Sequence, residues 1–200
     1  MDFGILDIVI ILTGYLSGSL TFAIWITRVL KGVDVRDSGS HHATTTNTIR
    51  QAGWLPGAVV LILDIAKGYL PVLLAIRFGT ADWVIAATAM AAIIGHCWPI
   101  YANFRGGMGL ATAGGAFLAV NPYSFLIALG VLIFLVLILK HSARGAFFMP
   151  FLTLPIMYLL GFSGLILWVV GTSGAVLSIR FLSDWKRKYS ELWLDREKTE

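Results

Sequence analysis

Charge is what this sequence has least of. Asp, Glu, Lys and Arg make up 13% of its 200 residues, where soluble domains carry about 25%. Disordered chains, coiled coils and soluble enzymes all depend on more, so those classes are excluded. Cysteine is nearly absent: the single Cys97 rules out a disulfide framework and offers no C-x-x-C metal pair. No nucleic-acid partner is expected. What fills the chain instead is apolar, with 58% hydrophobic residues and a mean hydropathy of +0.82. One core in a protein of this size could not hide that much apolar surface from water. The solvent is the bilayer.

Charge-free runs set the expected architecture. Residues 8–27 form a run of 20, the length that crosses about 30 Å of hydrocarbon. It lacks a basic leader, so a cleaved signal peptide is not expected. Residues 54–76 follow, apolar except for Asp64 and Lys67, and then residues 83–104, which carry His96 near their end. Residues 106–139 and 145–179 are runs of 34 and 35, about 51 and 53 Å as helix and too long for one crossing. Each has a breaker near its middle, Asn121-Pro122 in one and Gly161-Phe-Ser-Gly164 in the other.

The positive-inside rule chooses between five and seven spans. With both long runs folded in two, 13 of the 15 Lys and Arg gather on one side, Lys67 lies in a span and Arg77 outside. With single long spans, Lys140 and Arg144 move to the outer face. The expected fold is therefore all-α: a polytopic helix bundle of about seven spans, N-terminus outside and C-terminus in the cytoplasm. Residues 1–200 read as one integral-membrane domain. Its tail, residues 180–200, places Trp185, Tyr189 and Trp193 at helical spacing and reads as an amphipathic anchor on the inner leaflet.

Polar chemistry sits on the basic side. Of residues 34–50, only Val35, Gly39, Ala43 and Ile49 lack a polar side chain. Arg36 and Arg50 offer forks for phosphate oxygens, and Gly39 lets the backbone turn toward a ligand. Residues 44–47, Thr-Thr-Thr-Asn, would cap a helix and bring its positive end to the same place. A merely solvated loop would carry more Lys and Glu, which favours phosphate binding. Residues 95–112 hold Arg105-Gly106-Gly107, then Gly109 and Thr112, bare backbone suited to cradling an anion. Asp64 and Lys67 are three apart on one helix face and read as a structural intramembrane pair. His41, His42, His96 and His141 match no metal-ligand spacing. His96 reads as a polar pocket residue, a proton acceptor or a structural donor.

The two loops together resemble the bacterial acyl-phosphate:glycerol-3-phosphate acyltransferase family. That family's first motif runs Asp-x-Arg, Gly-Ser-Gly-Asn, Gly-Ala-Thr-Asn and Arg. Asp34, Arg36, Gly39, Ser40, Thr46, Asn47 and Arg50 stand at the matching spacing. The second runs Gly-His-x-x-Pro, then Phe-Lys-Gly-Gly-Lys-Gly with Ala-Thr after it. Gly95, His96, Pro99, Phe104, Gly106, Gly107, Gly109, Ala111 and Thr112 match, with Arg105 for the first Lys. The chain departs at His41-His42, where the family has Gly-Asn, at Thr44-Thr45 for Gly-Ala and at Met108 for the second Lys. Phe181 and Asp184 stand where the family's tail has His and Asn.

The resemblance implies transfer of an acyl group from acyl phosphate to glycerol 3-phosphate in a bacterial inner membrane, on the cytoplasmic face and without a cofactor or metal. It casts His96, Ser40 and Asn47 as catalytic. Arg36, Gly39, His42, Thr46, Arg50, Arg105, Gly106, Gly107, Gly109 and Thr112 would bind substrate phosphate. An acyl phosphate brings its own leaving group, so no protein nucleophile is required, and no Ser-His-Asp or Cys-His arrangement is evident. The alternatives are an acyltransferase with a changed acceptor or donor, and a non-catalytic anion- or lipid-binding homologue.

Overall fold

The computed structural model describes residues 4–187, and among these every regular element is a helix. In chain order they are α1 (Ile5–Gly18), α2 (Phe22–Lys31), α3 (Thr45–Ala52), α4 (Trp54–Phe78), α5 (Asp82–Cys97), α6 (Leu110–Val120), α7 (Pro122–Leu139), α8 (Ser142–Leu159) and α9 (Leu165–Leu182). Short 3-10 turns at Val35–Asp37 and Ile100–Ala102 shape the two polar loops.

In lipid, helices gain little from burying apolar surface against one another, and close van der Waals packing takes over. Two pairs show this. Where α1 crosses α5, Gly14 lies on the Thr88 backbone and Gly18 on that of Ala92, too close for a Cβ. Where α4 crosses α6, Gly68 meets the Thr112 carbonyl while Gly115 meets that of Ile65. Large side chains point the other way: Leu12, Ile62, Ile133, Phe134, Leu137 and Phe151 are all exposed. The bundle is oily outside and tight inside, as a bilayer solvent demands.

Both long runs break where their turn residues stand. Asn121 ends α6, and its side chain accepts the Tyr123 amide at 2.8 Å to start α7. Gly161 and Gly164, with φ of +88° and +58°, turn the chain between α8 and α9 in a conformation costly for other residues. The first run also breaks, between α1 and α2, which its lack of charge did not foretell. Among the described residues, five stretches are long and apolar enough to cross a membrane, counting Ile5–Lys31 as one. Of the rest, α6 has 11 residues and α8 carries Pro150 and Pro155.

Candidate active site

The first loop is built around two side chains. Asn47 is fully buried: its Oδ1 accepts the Ser40 amide at 3.2 Å, and its Nδ2 donates to the carbonyls of Val35, Ser38 and His42. A Cβ at Gly39 would strike Asn47 Oδ1, and Gly39 has φ +63°, so glycine is required twice over. Thr44 accepts the Asn47 amide and caps α3, as the sequence suggested. Arg36 is the second. It grips Asp34 at 2.9 and 2.8 Å and donates to the carbonyls of Ala102 and Arg105 at 2.9 and 3.0 Å. Hydrogen bonds from Arg36, against the opposing cost of burial, hold the Asp34 carboxyl well below the usual carboxylate range. Arg36 thus clasps the two loops together, its guanidinium filled by protein oxygens.

The glycine-rich turn is used differently from a simple amide cradle. Gly106 and Gly107 donate their amides to the Cys97 and His96 carbonyls at 3.2 and 3.0 Å. The Gly106 carbonyl takes the Ala43 amide at 3.3 Å. A Cβ at Gly107 would run into His96 Nε2 and the Ala43 carbonyl. These two glycines therefore join the loops by close approach. Amides left over for an anion belong to the first turn of α6, whose leading N–H groups have no intrahelical partner. Gly109, with φ +88°, swings the chain into that turn. Arg105 is exposed.

Between the loops and the bundle lies a cavity of about 490 Å³. Its polar lining is Ser40, His42, Thr44, Thr45, Thr46, Arg50, Asp64 and His96; its apolar lining includes Phe117, Phe125, Leu129, Leu132, Met149 and Leu177. Met108, Gly109, Leu110 and Ala111 line it as well. Of the residues expected to bind or react, Ser40, His42, Thr46, Arg50, His96 and Gly109 line this space. Arg36, Gly39, Asn47, Gly106, Gly107 and Thr112 do not line it but hydrogen-bond or pack against residues of the two loops; Arg105 is exposed and outside the lining, and its carbonyl accepts from Arg36. Two hydroxyls of residues in this lining, Ser40 Oγ and Thr45 Oγ1, are buried with no hydrogen-bond partner among the described residues. Burying an unpaired hydroxyl costs about 1–3 kcal/mol, so each would gain from a polar partner.

Asp64 of this lining belongs to the intramembrane pair. Lys67 Nζ is 2.9 Å from Asp64 and donates to the Leu20 carbonyl at 2.7 Å. That carbonyl is free because the chain breaks between α1 and α2, so the break and the buried ammonium explain each other. His96 Nδ1 lies 3.1 Å from Thr112 Oγ1 and 3.8 Å from Asp64 Oδ1. Among the described residues no group of three His, Cys, Asp or Glu side chains could hold a metal ion.

The end of α9 supplies residues that reading the tail as an anchor passed over. Arg180 donates from Nε to the Gly107 carbonyl at 2.9 Å and lies 3.3 Å from His42 Nδ1. Asp184 meets His42 Nε2 at 3.0 Å and Arg187 at 3.0 Å, and Arg187 also donates to the Ser40 carbonyl. Burial works against ionisation of Asp184, but hydrogen bonds from His42 and Arg187 overcome it and hold the carboxyl well below its usual range. Trp185 packs edge-on to Phe147 and beneath Arg144. Of the expected amphipathic tail helix, residues 183–186 form turns, and Tyr189 and Trp193 lie outside the described residues. The sequence signals were position, polar residues just past the last span on the side of both loops, and the resemblance that set Phe181 and Asp184 against the family's tail His and Asn.

A cavity lined by polar and apolar side chains together, inside a multi-pass helical membrane protein, is the kind of site an amphiphilic molecule would fit. The comparisons with known proteins name the family. The pattern of the glycerol-3-phosphate acyltransferase family matches residues 8–191, and the chain belongs to that family. The glycerol-3-phosphate acyltransferase of Myxococcus xanthus is 43% identical over 138 residues, 68% of this chain and 72% of that protein. The one from Rubrobacter xylanophilus is 44% identical over 117 residues, 58% of each chain. Among solved structures, that of PlsY, an integral membrane glycerol 3-phosphate acyltransferase in its glycerol 3-phosphate form, superposes with a TM-score of 0.80 at 31% identity and 91% coverage of both chains. Its lysophosphatidic acid form matches with a TM-score of 0.79.

Proposed function

We propose that this protein transfers an acyl group from acyl phosphate to a hydroxyl of glycerol 3-phosphate, forming lysophosphatidic acid on the cytoplasmic face of a bacterial inner membrane. The observation that carries the reading is a pair of buried hydroxyls, Ser40 and Thr45, unpartnered among the described residues, in the lining of a cavity whose other walls are largely apolar. The polar lining takes phosphate; the apolar walls take the chain. Among the described residues no acidic group pairs with Arg50, so its fork is available to phosphate oxygens. The leading amides of α6 add fixed positive ends where the carbonyl oxygen becomes an oxyanion.

The glycerol 3-phosphate oxygen forms the new bond to the acyl carbon while the C–O bond to phosphate breaks, and phosphate leaves with the electron pair. The hydroxyl proton passes to His96 Nε2, which accepts when Nδ1–H faces Thr112 and Asp64. The protein thus binds two anions, steadies one oxyanion and aligns one hydroxyl. Arg50→Ala lowers turnover of acyl phosphate and glycerol 3-phosphate by about 100-fold or more, the scale of losing one transition-state contact. An Arg50→Ala variant with full turnover would overturn the assignment. Purified protein that releases no lysophosphatidic acid from these substrates would overturn the function.

A further inference from the structure

The segment after α9 is fastened to the first loop in a way the transfer reaction alone does not call for. Asp184 lies two residues past the end of α9, its side chain 5% exposed, and meets His42 Nε2 at 3.0 and 3.2 Å. His42 lines the cavity. On its other ring nitrogen stands Arg180, which also holds the glycine-rich turn through the Gly107 carbonyl. One neutral tautomer satisfies both sides, Nε2–H donating to the carboxylate and Nδ1 accepting from the guanidinium. Arg187 completes the ring, from Asp184 to the Ser40 carbonyl. The turn so held needs holding: Gly39 and His41 both have positive φ, +63° and +54°. His41 has no glycine's freedom there, and a residue held in that region persists only when its surroundings impose it.

We propose that Asp184 is a positioning residue for the acyl transfer. Through His42 and Arg187, it latches the stretch 40–42 against the mouth of the cavity and fixes where Ser40 Oγ points. His42 and Asp184 work as one unit, a side chain from each end of the chain. The proposal rests on the reaction proposed above, since only with that reaction does the aim of Ser40 have a kinetic readout.

The test is a double-mutant cycle on full-length protein in detergent micelles, with acyl phosphate and glycerol 3-phosphate as substrates. Asp184→Asn and His42→Ala each lower kcat by about 10- to 100-fold, the cost of a misplaced catalytic contact. The KM for glycerol 3-phosphate changes less than threefold. The double variant falls no further than the worse single one, because each change already breaks the same latch. Losses that multiply in the double variant, or an Asp184→Asn enzyme with parental kcat, would overturn the proposal. So would a loss of thermal stability with kcat per folded molecule unchanged, which marks a purely structural contact. Asp184→Glu, which keeps the charge, guards against misfolding and retains more kcat than Asp184→Asn; equal loss in both counts against the latch. A parent enzyme inactive on these substrates overturns the reaction instead, and the thermal-unfolding cycle of the same four proteins then tests the coupling by itself.

Discussion

Single residues here divide by whether they face the cavity or hold what faces it. Gly107 is of the second kind. An alanine there drives its Cβ into His96 and the Ala43 carbonyl, and overpacking of that sort costs about 1–3 kcal/mol. Gly107→Ala should lower the midpoint of thermal unfolding in detergent and displace His96, with activity lost alongside. Asp34 behaves as a group whose carboxyl ionises more readily folded than unfolded. Its contribution is complete above the ordinary carboxylate value near 4 and fades as pH falls toward the folded value. Unfolding midpoints of parent and Asp34→Asn should therefore differ most near neutral pH and converge below about pH 4; a gap independent of pH would refute this. The sequence offered Arg36 as a fork for phosphate oxygens. That its guanidinium is spent on Asp34, Ala102 and Arg105 was not legible, because Ala102 and Arg105 are over sixty residues away and contribute only carbonyls.

Elements are placed by small residues and by one buried charge. The pairing of α4 with α6 brings Thr112 and the start of α6 beneath the first loop, and it depends on Gly68 and Gly115. The pairing of α1 with α4 rests on Lys67, which reaches the broken end of α1 at Leu20. Removing one partner of a buried pair leaves the other charge uncompensated, at about 3–5 kcal/mol. Lys67→Met should destabilise the folded protein by that order, and Lys67→Met with Asp64→Asn should recover much of it. A double variant as unstable as the single would show that the Leu20 contact, not the charge pair, matters. Sequence spacing gave the pair, since residues three apart share a helix face. The break it serves was hidden, because Ser19, Leu20 and Thr21 carry neither charge nor proline.

For the whole molecule, the arrangement to be tested is seven crossings with both loops inside. Cys97 is fully buried, so the natural chain gives a quiet background for thiol labelling. A membrane-impermeant maleimide should label Ser163→Cys in intact cells and His141→Cys only after permeabilisation. The reverse for His141→Cys would favour five crossings.

The sequence by itself determined the solvent, the helical class, the breaks in both long runs and the two polar loops on the basic side. These follow from local composition: scarcity of charge, run length, turn residues and motif spacing. Only the tertiary structure decided which motif residues face the cavity and which brace it. It also turned the amides of Gly106 and Gly107 inward, brought α9 and Asp184 to His42, and left Ser40 and Thr45 unpaired. Such choices depend on partners up to 147 residues apart, and hydrogen bonds to backbone carbonyls leave no mark on the identity of the residues that supply them.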